Sequence, residues 1–240
     1  MPTYITPQTT YNGLYDFFLT DVHGMVAGCA GSGKSTAVNA ILHALCCHAP
    51  CQMSYAIIDL KQISLLDWEY MPHCLRYART PEQANETIAQ FTATMDKRYA
   101  DMLEQRIDKY QGGHLYLIID EAADLLDTDK TVIKKLVHLC RLGRAANIHV
   151  IYATQSPDRK TIPAQLQQNI PCCLGLRCKS QMESRQIIGQ GGCELIEGVG
   201  KGFLTTTQNP KPLFVTVPMV TQDRIEELKA WWKDPQHIKY

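Results

Sequence analysis

Apolar residues in this chain fall into short blocks that alternate between strand and helix spacing. His23–Ala27 is a brief apolar run that leads into glycines and reads as a strand. From about Lys34 to Cys47, residues Ala37, Val38, Ile41, Leu42 and Leu45 recur at helical spacing, and Pro50 ends that helix. Met53–Ile58 reads as a buried strand that ends at Asp59, and Leu75–Ala78 as a further short strand. Pro81–Tyr110 is a long helical stretch. Pro81 suits a first helical turn, Ile88, Phe91, Met95, Tyr99, Met102 and Leu103 mark the apolar face, and Gly112-Gly113 stop it. Leu115–Ile119 is apolar throughout, as expected of a strand buried on both faces. Downstream, the pattern predicts a helix over Thr131–Ala146, a strand over Val150–Ala153, a helix over Ile162–Asn169, a strand over Cys172–Leu176 and a helix over Met182–Ile188. Gly202–Leu204 and Leu213–Val217 pair as a hairpin across Gln208-Asn209-Pro210, and Thr221–Lys233 closes the chain as a helix.

Strands that alternate with helices predict an α/β fold with a mostly parallel central sheet and helices on both faces. The 240 residues suit one large domain. Residues 1–20 read as an N-terminal arm, an edge strand or the remnant of an upstream domain, and 21–240 as the main domain.

The chemistry begins where the first strand meets the first helix. Gly28-Cys29-Ala30-Gly31-Ser32-Gly33-Lys34-Ser35 fits the phosphate-loop pattern G-x-x-x-x-G-K-[ST] in full, with Thr36 continuing into the helix. The glycines let the backbone curl so that successive N–H groups point at one anion. The following helix adds its own unpaired N–H groups and its dipole. Lys34 is expected to reach the β- and γ-phosphates of ATP, and Ser35 to offer a hydroxyl to Mg2+. The second acidic element is Asp120-Glu121, at the end of the apolar run Leu115–Ile119. There Asp120 is expected to hold Mg2+ through water and Glu121 to polarise the attacking water. Gln155, at the end of the Val150–Ala153 strand, stands where a side chain senses the γ-phosphate.

Basic side chains divide into two groups. Arg141 and Arg144 lie in Cys140-Arg-Leu-Gly-Arg-Ala-Ala, which no element prediction brings to the chain's own phosphate loop. An arginine there either serves a neighbour's nucleotide or decorates a helix end. Arg177, Lys179 and Arg185 form a local cluster that suits a phosphate backbone or a solvated face. The whole chain has 24 basic and 24 acidic residues, so any DNA contact is local. Ten cysteines include the adjacent pairs Cys46-Cys47 and Cys172-Cys173, a poor arrangement for disulfides, and point to a reducing compartment. His43, Cys46, Cys47, His48 and Cys51 are dense but lack a second spaced ligand pair. No apolar run approaches the length of a membrane span, and residues 1–15 show no secretory pattern.

Several of these stretches together resemble the FtsK/SpoIIIE family. They are His23–Thr36 with its phosphate loop, Ile57-Ile-Asp-Leu-Lys61, Met95-Asp-Lys-Arg-Tyr99, Ile118-Ile-Asp-Glu-Ala-Ala-Asp-Leu125, and Leu142–Gln155 with Gly143-Arg-Ala-Ala146. Ile170-Pro171, Glu183-Ser-Arg185 and Gln190-Gly-Gly192 continue the pattern in order. The resemblance covers roughly residues 22–205. It implies a RecA-like P-loop fold and ATP hydrolysis at the interfaces of a homo-oligomer, a hexameric ring around double-stranded DNA. By position it assigns nucleotide roles to Lys34, Ser35, Asp120, Glu121 and Gln155, the trans arginine to Arg144, and the neighbourhood of the pore loop to Arg177 and Lys179. Leu60 replaces the family's usual proline, Gln181 stands where many members carry a pore-loop lysine, and Gly198-Val-Gly-Lys-Gly202 departs from the usual ending. The resemblance implies a cytoplasmic motor, recruited by other components when it works at the membrane, for chromosome segregation or conjugative transfer. Two alternatives remain open at this point: a type VII-like protein-secretion ATPase, and a nucleotide-binding assembly module with little turnover.

Overall fold

A computed structural model of the chain describes residues 23–48, 53–121, 123, 125, 130–155, 157–159, 162–208 and 210–233. The expected arm at 1–20, the helix-ending Pro50, Cys51 and the hairpin residue Asn209 lie outside the described residues.

The strands are β1 (Gly24–Ala27), β2 (Met53–Asp59), β3 (Cys74–Ala78), β4 (His114–Asp120), β5 (Ile148–Thr154), β6 (Cys172–Leu176), β7 (Lys201–Thr205) and β8 (Leu213–Thr216). They form one sheet in the order β3-β2-β4-β5-β1-β6-β7-β8. Every pairing from β3 through β6 is parallel, and the β7–β8 hairpin adds two antiparallel strands at one side. The helices are α1 (Lys34–His48), α2 (Pro81–Gln105), α3 (Lys130–Leu142), the single turn α4 (Ala164–Gln167), α5 (Gln181–Ile188) and α6 (Gln222–Lys233).

Alternation along each strand sorts the core into two layers. Met25, Ala27, Ala56, Ile58, Leu117 and Ile119 face one way and pack with Ile88, Phe91 and Met95 of α2, Leu136 and Leu139 of α3, and Ile187 of α5. Val26, Tyr55, Ile57, Ile118 and Ile151 face the other way and meet Val38, Ile41, Leu42 and Leu45 of α1 and Ile225 and Leu228 of α6. The central strands are buried on both faces, which is why their sequences read as unbroken apolar runs.

Several elements end earlier than periodicity predicts. α2 begins as expected, with Pro81 in its first turn and the Thr80 side chain accepting from the Gln83 N–H. It stops at Gln105 rather than Tyr110, because Arg106 turns left-handed (φ 55°) and Ile107 N–H bonds back to the Met102 carbonyl at 3.0 Å. Tyr110 is drawn away from the helix: its N–H donates to the Ala145 carbonyl at 2.8 Å, and the Arg98 guanidinium lies 4.4 Å from its ring centre. α3 stops at Leu142 rather than Ala146. A Cβ on Gly143 would lie 2.6 Å from both the Ile148 and Leu139 carbonyl oxygens, so the chain closes there in a turn only glycine fits. The Ile162–Asn169 helix contracts to the one turn α4, and a short 3₁₀ segment, Leu66–Tyr70, buries Trp68 without having been expected.

His23 stands at the start of β1 and accepts a hydrogen bond from the Val150 N–H through Nδ1 at 3.0 Å. Burial, reinforced by the positive charge of Arg144 and opposed by a hydrogen bond with the Cys140 backbone, lowers its pKa from 6.5 to about 4. The folded protein therefore takes up this proton less readily than the unfolded chain, and stability falls as pH drops from 6.5 towards 4. The full shift corresponds to about 3 kcal/mol. Urea unfolding across that window is expected to lose stability steadily in the wild type and less steeply in His23→Gln. Equal slopes would remove His23 as the source.

Candidate functional site

The C-terminal ends of the parallel strands share one edge of the sheet, and the predicted nucleotide residues gather there. β1 delivers the phosphate loop between its two neighbours. The Gly28 N–H donates to the Thr154 carbonyl of β5 at 3.3 Å, and the Cys29 N–H to the Arg177 carbonyl just after β6 at 2.8 Å. The loop then closes on itself through Ser32 N–H and the Cys29 carbonyl at 3.1 Å, and α1 starts at Lys34. Gly33 has φ 101°, and a Cβ there would lie 2.7 Å from the Gly200 nitrogen. Gly200 approaches so closely because its N–H donates to the Ser32 carbonyl at 2.9 Å. A cleft of about 270 Å³ lies over Cys29–Thr36 and is completed by Gln155 and Val199.

β4 is separated from β1 by β5, so its end lies roughly 10 Å across the sheet from the loop. Long side chains bridge that gap. Lys34 reaches over to hydrogen-bond the Asp120 carboxylate, and both are almost fully buried. The pairing offsets the desolvation that either charge would suffer alone. Glu121 is buried too, and its backbone is left-handed at φ 54°. That conformation costs a non-glycine residue about 1–2 kcal/mol. Its Oε1 accepts from the Gln155 N–H at 3.1 Å and the Thr154 hydroxyl at 3.2 Å, and Oε2 lies 3.7 Å from Lys61 Nζ. Ser35 Oγ is 3.3 Å from Ser64 Oγ.

The donor set fits a nucleotide and its metal. The buried Ser32 hydroxyl has no hydrogen-bond partner among the described residues, an unused polar group in a cradle of backbone N–H donors. The Ser35 hydroxyl and the Asp120 carboxylate are hard oxygen donors, the type Mg2+ prefers.

The remaining predicted residues are distributed differently. Arg144 is exposed in the turn before β5, whereas Gln155 follows the other end of that strand. Seven residues of β5 put about 20 Å between them. Arg177 and Lys179 follow β6 on the phosphate-loop side; Arg177 is half-buried and braces the loop through its carbonyl, and Lys179 is exposed. Arg141 is exposed at the end of α3. Cys46 and Cys140 are buried, and burial holds both thiols well above their ordinary pKa. No disulfide joins the nine described cysteines, and Cys47 Sγ lies 3.7 Å from His43 Nδ1.

Some contributing residues carried no readable signal. Arg98 Nη1 donates to the Ala146 carbonyl at 2.6 Å, and the Tyr99 hydroxyl to the Leu142 carbonyl at 2.9 Å. Asn147, itself left-handed, donates to the Tyr110 and Gly112 carbonyls at 2.9 Å each. Two segments that the sequence shows only as separate motifs, Met95–Tyr99 and Leu142–Gln155, are therefore one construction around the Arg144 turn. Val199 and Gly200 brace the phosphate loop from 165 residues downstream of it, across a distance at which local pattern is silent.

The chain matches the model of the FtsK/SpoIIIE family over residues 14–116. It is 29% identical over 251 residues to the DNA translocase FtsK of Tropheryma whipplei, covering 93% of this chain and 34% of that protein. It is 30% identical over 244 residues to the DNA translocase FtsK of Mycobacterium tuberculosis, covering 91% of this chain and 29% of that one. The chain thus spans about a third of the length of these relatives. Among solved structures, the pCW3 conjugation coupling protein TcpA with ATPγS superposes with a TM-score of 0.76 at 20% identity, over 87% of this chain and 64% of that one. The type VII secretion ATPase EccC of Thermomonospora curvata superposes at 0.72 with 21% identity, over 86% and 28% of the two chains. Both likenesses are of fold.

Gly33→Ala is expected to weaken binding of a fluorescent ATP analogue by more than about tenfold, since the new methyl meets backbone rather than a side chain that can turn aside. Unchanged affinity would show that the loop tolerates the displacement.

Proposed function

We propose that the chain is a P-loop ATPase domain of the FtsK/SpoIIIE family that hydrolyses ATP in a homo-oligomeric ring, a hexamer, to drive double-stranded DNA. The observation that carries this reading is the division of the catalytic set. One edge of the sheet holds phosphate loop, acid pair and Gln155, while Arg144 stands exposed beyond the other end of β5. A side chain so placed lies far from its own chain's phosphate loop and is available to a second subunit's nucleotide, as a trans arginine would be.

In this reading Lys34 binds the β- and γ-phosphates, Ser35 and Asp120 hold Mg2+, Glu121 polarises the attacking water and Gln155 senses the γ-phosphate. A Mg2+ ion held by Ser35 and Asp120 would offset the charge that builds up on the phosphate oxygens. Arg144 supplies the last positive charge in trans. Arg177 and Lys179 meet the DNA backbone as a small local patch, consistent with the chain's balance of charges. No helix among the described residues is long and apolar enough to cross a membrane. We place the domain in the cytoplasm, held at the inner membrane face by other components when its task is there, in chromosome segregation or conjugative transfer. Gln181, where many relatives carry a lysine, favours the second reading of a protein-secretion motor.

Steady-state ATPase rates with and without long linear duplex DNA separate the readings. The DNA motor is expected to be stimulated, with stimulation fading as salt rises, because a few phosphate contacts release counterions. A rate that ignores DNA but rises with a secretion substrate supports the second reading. Tight ATP binding with no turnover supports an assembly module instead.

The trans arginine has its own test. Arg144→Ala is expected to lower turnover on the order of a thousandfold. Mixed with Lys34→Ala subunits, which keep Arg144 but lose the phosphate lysine, it is expected to recover part of the rate. No recovery at any mixing ratio would return Arg144 to an ordinary surface role.

A further inference from the structure

We infer that Lys61 is a positioning residue for the Glu121 carboxylate, holding it in the orientation from which it acts on water. The inference rests on the reading of Glu121 as the water-polarising base. Glu121 follows directly on β4, and its carboxylate is gripped from both neighbouring strands. From β5, the Gln155 N–H and the Thr154 hydroxyl bond to Oε1 at 3.1 and 3.2 Å, and the same Gln155 N–H lies 3.3 Å from Oε2. From β2, the Lys61 ammonium approaches Oε2 at 3.7 Å. The contacts from β5 hold the carboxylate chiefly through Oε1; a charge on the opposite side, nearest Oε2, limits the rotation they leave.

The turn that carries Lys61 is built for placement. Asp59, buried at the end of β2, accepts from the Lys61 N–H at 3.1 Å and from the Gln62 N–H at 2.9 Å through Oδ1. Its other oxygen accepts from the Tyr77 hydroxyl at 2.7 Å. Burial and the Asp59 carboxylate hold the Tyr77 phenol far above its ordinary pKa, so it remains a donor. Gln62 is left-handed at φ 56°, which turns the chain sharply just after the lysine. Three residues on, Ser64 lies against Ser35 of the phosphate loop. The segment from Asp59 to Ser64 therefore touches both the acidic and the phosphate-binding halves of the site.

An ordinary surface ion pair has two exposed, mobile partners and contributes little. Here one partner is 5% exposed and the other 48%, so the charge from solvent meets a carboxylate already withdrawn from it. Nothing in this arrangement requires Lys61 to touch nucleotide, which sets it apart from Lys34.

The test compares wild type, Lys61→Ala, Lys61→Arg, Glu121→Gln and the double variant Lys61→Ala/Glu121→Gln, using steady-state ATPase, single turnover with radiolabelled ATP and binding of a fluorescent ATP analogue. Lys61→Ala is expected to lower kcat on the order of tenfold. KM and analogue affinity are expected to stay within about twofold, because the loss is in the chemical step. Lys61→Arg is expected to recover most of the rate. In single turnover, adding Lys61→Ala to Glu121→Gln is expected to cost nothing more, since the carboxylate it positions is gone. Three results would overturn the inference: unchanged kcat in Lys61→Ala, a rise in KM at constant kcat, or a full further loss in the double variant. Normal turnover in Glu121→Gln alone would instead remove the base from its role, and the positioning role with it.

Discussion

The parallel run of β3-β2-β4-β5-β1-β6 is the constraint on which the rest depends. Strands that point the same way end on the same edge, so whatever follows each of them meets there without further design. Phosphate loop, acid pair, Gln155, Lys61 and the Arg177 carbonyl are all residues that come just after, or at the end of, a strand of this set. The same rule sends every strand-preceding turn to the far edge, and that is where Arg144 lies. Separation of the two groups follows from strand direction before any side chain is considered.

Side chains then spend their interactions on fixing termini rather than on filling the middle of the sheet. The apolar layers on the two faces are made from Val, Ile, Leu, Met and Ala in ordinary alternation. Several buried polar groups act at strand ends: Lys34 with Asp120, Glu121 with Thr154, Asp59 with Tyr77, and Arg98 and Asn147 around the Arg144 turn. Each bonds to a partner from a different part of the chain. A lost partner there leaves a buried charge or donor exposed to low dielectric, which is far costlier than loss of a surface contact.

Element order was legible in the sequence because the central strands are buried on both faces and the helices on one. Those two situations leave different periods, and β4 and α2 are good examples. The phosphate loop and Asp120-Glu121 were legible because the chemistry demands particular residues at fixed spacing. Helix ends were less so. Arg106 stops α2 through a local left-handed turn and Gly143 stops α3 through backbone crowding, neither of which shows in periodicity. The partnership of Lys61 with Glu121 joins residues 60 apart, and the brace from Gly200 to Ser32 joins residues 168 apart; both exist only once the sheet has been assembled. Arg177 was read for its side chain, whereas its carbonyl is what meets the phosphate loop.

Glu121 occupies a backbone conformation that suits glycine or asparagine better than glutamate. Its carboxylate and its main chain therefore pull in opposite directions: the first is held by Thr154, Gln155 and Lys61, the second strains the fold. Glycine here would relax the backbone but would take the carboxylate acceptor away from the Gln155 N–H and the Thr154 hydroxyl, so its two effects on stability oppose one another. On the proposed reading of Glu121, the strained backbone is tolerated for turnover rather than for stability.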